Sequence, residues 1–132
     1  MRTCYADTSF FAALLNPADW HHQQAVQLNL VDRPILTSFW VLLELADGLR
    51  AQQYRGLFLD FLGEIQGDDR YDIVSAEQRL LDQAISLYRD RRDKDWSLTD
   101  CTSFVLMRER GLQEVLSADH HFEQAGFTIL LK

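Results

Sequence analysis

Asp7, Glu44, Asp100 and Asp119 are set apart from the other acids of this chain because each sits where a solvated surface acid would be out of place. Asp7 ends a strand-like run, Thr3-Cys4-Tyr5-Ala6. Glu44 is embedded in the apolar stretch from Phe39 to Ala46. Asp100 opens a helix whose next turns on that face carry Phe104 and Met107. Asp119 closes Val115-Leu116-Ser117-Ala118. Four carboxylates meeting at one point repel one another unless positive charge sits among them. The occupant suited to oxygen ligands is a hard divalent cation, Mg²⁺ or Mn²⁺. The chemistry implied is metal-assisted hydrolysis of a phosphodiester.

Each acid has an ordinary alternative. Asp7 and Asp119 fit helix-capping positions after a strand. Asp100 completes a capping box with Ser97, favoured by the positive end of the helix dipole. Glu44 lies opposite the apolar face formed by Leu42, Leu45, Ala46 and Leu49, but its flanking residues one turn away are Trp40 and Gly48. That setting predicts a cleft, with Asp47 as the neighbouring, more exposed acid. Capping and metal ligation are compatible, and Ser9 is placed to share the Asp7 pocket. It is the joint placement of the four that carries the reading. The paired histidines, His21-His22 and His120-His121, are expected on helix surfaces, since adjacent helical residues do not face each other, with contact of His120 or His121 to substrate beside Asp119 as the alternative. A zinc site would require a longer spacing. No glycine-rich phosphate loop, Gly-x-Ser-x-Gly elbow or Cys-x-x-Cys occurs.

The elements that must position these residues alternate. Strands are predicted over Arg2–Ala6, Pro34–Thr37, Tyr71–Val74, Val115–Ala118 and Phe127–Leu131. Helices are predicted after Thr8-Ser9 up to Pro17, from Ala18 to Leu30, from Ser38 to Gln53 and from Gly56 to Ile65. Leu57, Phe58, Phe61 and Leu62 give the last of these an apolar face, open to a role in the core or in a protein interface. Ser75 with Gln78, and Ser97 with Asp100, are read as capping boxes opening two more helices. Such alternation implies an α/β fold with a parallel sheet covered on both faces. Sites in these sheets form at the carboxyl ends of strands, where Asp7 and Asp119 both fall.

With 132 residues, 47% hydrophobic and 25% charged, the chain is sized for a single domain over residues 1–132. No apolar run approaches the roughly 20 residues that span a bilayer, and no secretion signal is evident. Cys4 and Cys101 lie in apolar segments without metal-type spacing, which predicts buried thiols in a cytoplasmic protein. The net charge of −7 argues against binding nucleic acid through bulk positive charge, though not against a locally basic groove. The densest basic run is Arg89-Asp90-Arg91-Arg92-Asp93-Lys94-Asp95. Its interleaved aspartates predict a solvated helix end, with phosphate contact by Arg91, Arg92 or Lys94 as the alternative.

Four stretches together resemble the PIN domain, and in detail the VapC-type toxin ribonucleases of toxin–antitoxin pairs. They are Tyr5-Ala6-Asp7-Thr8-Ser9-Phe10-Phe11, Thr37-Ser38-Phe39 leading to Leu43-Glu44-Leu45, Asp95 to Phe104, and Leu116-Ser117-Ala118-Asp119-His120-His121-Phe122. The resemblance runs from end to end. It implies a three-layer sandwich with a central parallel sheet of four to five strands flanked by helices. It implies that Asp7, Glu44, Asp100 and Asp119 are the catalytic acids. Three of them would coordinate one or two Mg²⁺ or Mn²⁺ ions, and Glu44 would complete the cluster or hold the water. Thr8 or Ser9, and Thr99, would support them, with Asp95 a further step away. RNA is the implied substrate. A homodimer is the implied assembly, and the implied inhibitor is an antitoxin that inserts a basic segment into the acidic cleft. Two other functions stay open at this level: an RNA-processing or decay nuclease without an antitoxin, and a catalytically silent binding module. A haloacid-dehalogenase-type phosphatase is rejected, because Ser9 stands where its second aspartate would be.

Overall fold

The computed structural model describes residues 1–132. Its five strands are β1 (Cys4–Ala6), β2 (Ile35–Ser38), β3 (Tyr71–Val74), β4 (Glu114–Leu116) and β5 (Thr128–Ile129). All pair in parallel, in the order β3-β2-β1-β4-β5. Seven helices flank the sheet: α1 (Thr8–Leu15), α2 (His22–Asn29), α3 (Phe39–Gly48), α4 (Gln52–Gln66), α5 (Gln78–Asp90), α6 (Leu98–Glu109) and α7 (His120–Gln124). The expected three-layer α/β sandwich is therefore present with five strands. β1 and β2 are buried along their whole length, as strands covered on both faces must be. From β1 the chain moves outward through β2 and β3, then crosses back to place β4 on the other side of β1. The strand order reverses between β1 and β4, so the crevice for a site opens above their carboxyl ends.

Several boundaries differ from expectation, and the strands β1 and β5 are shorter than predicted. The long helix predicted from Ser38 to Gln53 ends at Gly48, a weak helix former, and α4 starts at Gln52, running through Gly56. Along α4 only Phe61 and Ile65 are buried, and Leu57 is exposed, so its predicted apolar face is only partly used by the core. Ser75 does not cap α5. Glu77 occupies the N-cap without a side-chain bond, and the Gln78 amide donates to Asp82 instead. The helix predicted from Ala18 begins at His22. Asn16 and Asp19 side chains accept from the Ala18 and His21 N–H groups and hold the preceding segment in turns.

Phe104 of α6 organises one end of the core. Its ring meets Trp96 at 4.9 Å, Phe122 of α7 at 5.0 Å and Phe127 at 5.8 Å. This cluster seats α7 and the segment before α6 against the start of α6. Aromatic pairs of this geometry contribute about 0.5–1.5 kcal/mol each beyond simple burial. No helix is long and apolar enough to cross a membrane.

Candidate active site

Asp7 follows β1 directly, as the N-cap residue of α1, and is buried. Asp119 follows β4 as the N-cap of α7, and its Oδ1 accepts from the His121 N–H at 2.9 Å. Asp100 is buried in the first turn of α6, within the predicted capping box. Ser97 Oγ accepts from the Asp100 N–H at 2.9 Å, and Asp100 Oδ2 accepts from the Ser97 N–H at 3.1 Å. The three aspartates thus serve as local helix-start residues while their carboxylates collect over the β1–β4 crevice.

Two side chains tie them together. Ser117 Oγ donates to Asp7 Oδ2 at 3.1 Å, accepts from the Asp119 N–H at 3.0 Å and lies 3.0 Å from Ser9 Oγ. Ser9 Oγ also accepts from the Ala118 N–H. His121 Nδ1 lies 3.1 Å from Asp100 Oδ2 and 3.3 Å from Asp119 Oδ1, so one imidazole nitrogen stands between two carboxylates. Beneath Asp7, the buried Tyr5 hydroxyl meets Ser103 Oγ at 2.9 Å and fixes β1 to α6.

Glu44 sits differently. It is exposed on α3 and makes no ion pair or hydrogen bond within the chain, but its charge acts on Asp7. As expected, it borders a groove, of about 490 Å³, lined also by Thr8, Leu15, Asp19, Gly48 and Leu57. Thr8 Oγ1 reaches the Val41 carbonyl at 3.5 Å. Thr99 contributes its carbonyl to Thr102 and no side-chain bond to the acids, and Asp95 lies on the wall of a separate pocket.

Ser117 and His121 are the residues that sequence reasoning did not assign. The histidines were expected on a helix surface, and His120 is exposed there. His121, though, turns inward at the first turn of a five-residue helix, and the two rings lie 4.5 Å apart. The signal for Ser117 was its position as the one hydroxyl in an apolar strand end, two residues before Asp119.

The electrostatics are those of an acid cluster without a balancing cation. The ion pairs these four residues make are to His120 and His121 alone, with no Lys or Arg. Burial pushes the Asp7 carboxyl up to about 7, and the charges of Asp100 and Glu44 push the same way. The Thr8 backbone N–H and the Ser117 hydroxyl oppose them. Asp100 is also raised, first by burial and then by Asp119, against the Ser97 backbone and His121. Buried, mutually repelling carboxylates are the donor set of a hard divalent cation, so the residues fit that group. Asp119, His120 and His121 also bring possible ligand atoms within 4.8 Å of one another.

Residues 4–128 match the family model of the PIN domain, and the chain belongs to that family. Within it, the chain is 31% identical over 130 residues to the 23S rRNA-specific endonuclease VapC20 of Mycobacterium tuberculosis, spanning 93% of this chain and 94% of the relative. The crystal structure of VapC20, described as a sarcin–ricin-loop-cleaving toxin, superposes with a TM-score of 0.85 at 27% identity. That match covers 96% of this chain and 97% of VapC20. The VapBC2 complex of Rickettsia felis shares the fold, with a TM-score of 0.70 at 12% identity over 98% of both chains.

Proposed function

We propose that the protein is a divalent-metal-dependent endoribonuclease and the toxin of a toxin–antitoxin pair. The observation that carries the reading is the cluster of Asp7, Asp100 and Asp119 at the β1–β4 crevice, the first two buried and none of the three paired with Lys or Arg, in a chain similar to VapC20. Asp7, Asp100 and Asp119 would hold Mg²⁺ or Mn²⁺, with Glu44 at the mouth. When bound, such an ion would supply charge neutralisation on the phosphate and a more acidic water. The chain's own part is to fix the carboxylates. Ser117 locks Asp7 against the Asp119 backbone, and His121 keeps Asp100 and Asp119 in register. Ligand-orienting partners of this kind are typically worth 10–100-fold in metal affinity or activity. Glu44, exposed and unpaired, is free to orient water or a substrate hydroxyl.

The 23S ribosomal RNA cleaved by VapC20, and its sarcin–ricin loop in particular, is the first substrate to test. The groove beside Glu44 suits an inhibitory partner. Its walls are apolar at Leu15, Leu45, Leu49 and Leu57, and Glu44 and Asp19 supply negative charge. An antitoxin segment with apolar side chains and an inserted Arg or Lys would match it. Leu43 and Leu59 on α3 and α4 are each 62% exposed, a surface suited to that partner or to a homodimer.

The test is cleavage of ribosomal RNA and of a sarcin–ricin-loop hairpin with Mg²⁺, Mn²⁺ or EDTA, beside folded Asp7→Asn and Asp100→Asn variants. Metal-dependent cutting that falls more than about 100-fold in both variants is expected. Undiminished cutting by either variant would remove the acid cluster from the chemistry.

A further inference from the structure

The segment joining α5 to α6 concentrates positive charge. Arg89, Arg91, Arg92 and Lys94 place four of the chain's 13 Lys and Arg within six positions, in a molecule of net charge −7. They are not equivalent. Arg91 is committed locally, its guanidinium bonding Asp93 at 3.0 and 3.1 Å and lying 5.0 Å from the Trp96 ring centre. The Arg ion pairs of the chain involve Arg33, Arg70, Arg79, Arg91 and Arg110, which leaves Arg89, Arg92 and Lys94 free.

These free cations line an open pocket of about 660 Å³ with Tyr88, Trp96 and Cys101. The pocket is rigidly backed. Trp96 is buried, its Nε1 donates to Gln124 of α7 at 2.9 Å, and its ring meets Phe104 edge-on. It is also close to the acids. Cys101 follows Asp100 in sequence, so the basic pocket and the acidic cleft flank the same first turn of α6. At the rim, Tyr88 is 52% exposed and offers an aromatic face.

Resting on the ribonuclease reading above, we propose that this pocket is an RNA-holding subsite separate from the acid cluster. Arg89, Arg92 and Lys94 grip backbone phosphates of nucleotides flanking the cut, and Tyr88 stacks one base. At physiological salt, charge is screened beyond about 8 Å, so the overall negative charge matters less to an arriving strand than the charge beside the cleft. Four carboxylates repel a polyanion, so holding a strand beside them calls for cations next to the cleft. Unpaired cations combined with a stacking ring are the pattern by which proteins hold single-stranded nucleic acid without reading its sequence. An acidic peptide would use the cations but has no need of the ring.

The test compares wild type with an Arg89→Gln/Arg92→Gln/Lys94→Gln variant and with Tyr88→Ala. The probes are a fluorescein-labelled sarcin–ricin-loop hairpin and a twelve-nucleotide oligouridylate. Binding is followed by anisotropy in EDTA across a salt series, and hairpin cleavage is followed with Mg²⁺. The triple variant should keep its melting temperature and kcat while KM rises roughly tenfold. Its plot of log Kd against log salt should be shallower by about 2, three phosphate contacts at about 0.7 each. Tyr88→Ala should weaken binding of both probes by about tenfold. Unchanged KM and salt slope in a folded variant that still cleaves would remove the subsite and leave the ribonuclease reading intact. So would a lower kcat at constant KM. A wild type that neither binds nor cuts either RNA would remove both.

Discussion

The two flanks of the first turn of α6 are built in opposite ways. On one side Asp7 and Asp100 are buried and, with Asp119, held by hydrogen bonds of 2.9–3.1 Å from Ser117, Ser97 and His121. On the other, Arg89, Arg92 and Lys94 are unpaired on a surface pocket whose backing alone, Trp96, is fixed. A group that must meet reacting atoms requires positional precision, which the fold provides by burying it at an energetic cost. A group that need only hold a moving polyanion works through charge and reach. The contrast makes substitutions on the two sides separable. Asp7→Asn should lower kcat by more than about 100-fold while leaving metal-free RNA affinity within a few-fold or tightening it, since a negative charge is removed. The cation variants should do the reverse. A variant on either side that moves both quantities in equal measure would break the distinction.

The cost of burial can be read from pH. The Asp7 carboxyl rises from its ordinary 3.8 to about 7, so between those values the folded protein keeps a proton that the unfolded chain has lost. Stability of the ion-free protein is therefore highest below about 4 with respect to this group. It declines as pH rises through about 7, with a slope approaching about 1.4 kcal/mol per unit. Urea denaturation in EDTA from pH 5 to pH 8 should show Asp7→Asn gaining on wild type across that range. Mn²⁺ should restore wild type at the upper end and bind more tightly there, because ligation requires the deprotonated carboxylate. A wild-type curve parallel to that of Asp7→Asn would mean that Asp7 is not the strained group.

Ser117→Ala is the next smaller break. It leaves Asp7 Oδ2 and the Asp119 N–H without their shared partner in a buried setting, a loss of about 1–3 kcal/mol. Metal affinity should fall about 10–100-fold, measured by Mn²⁺ titration, with the salt slope of RNA binding unmoved. A fall in stability with metal affinity intact would restrict Ser117 to packing.

How much of this could be read in the sequence follows from which signals are periodic. Short apolar runs such as Cys4–Ala6 and Ile35–Ser38, alternating with helical patterns, carry the parallel sheet, and a parallel sheet places Asp7 and Asp119 at one edge. Asp100 is legible through its capping box with Ser97. Ser117 and His121 leave no periodic trace. Their roles depend on the start of α7, which Asp119 sets by capping the His121 N–H, and on a turn too short to show a helical pattern. The break between α3 and α4 was hidden because Gly48 and Gly56 are both compatible with either continuation or ending. In the basic run, composition alone does not separate Arg91, spent on Asp93 and Trp96, from its free neighbours. Only the three-dimensional pairing does.

The finest test lies where the two regions share support. Trp96 holds the basic pocket from behind and reaches α7 through Gln124, while α7 carries His121 into the acid cluster. Trp96→Phe keeps a ring against Phe104 and removes the Nε1 bond, which costs about 1 kcal/mol because Gln124 is exposed and can turn to water. It also removes the larger face beneath Arg91. If the two sides are independent, stability should fall by that amount in urea denaturation, KM for RNA should rise by less than about threefold, and kcat should hold. A kcat that falls as KM rises would show that the Trp96–Gln124 bond transmits to His121, making the turn of α6 a single unit rather than a boundary between two.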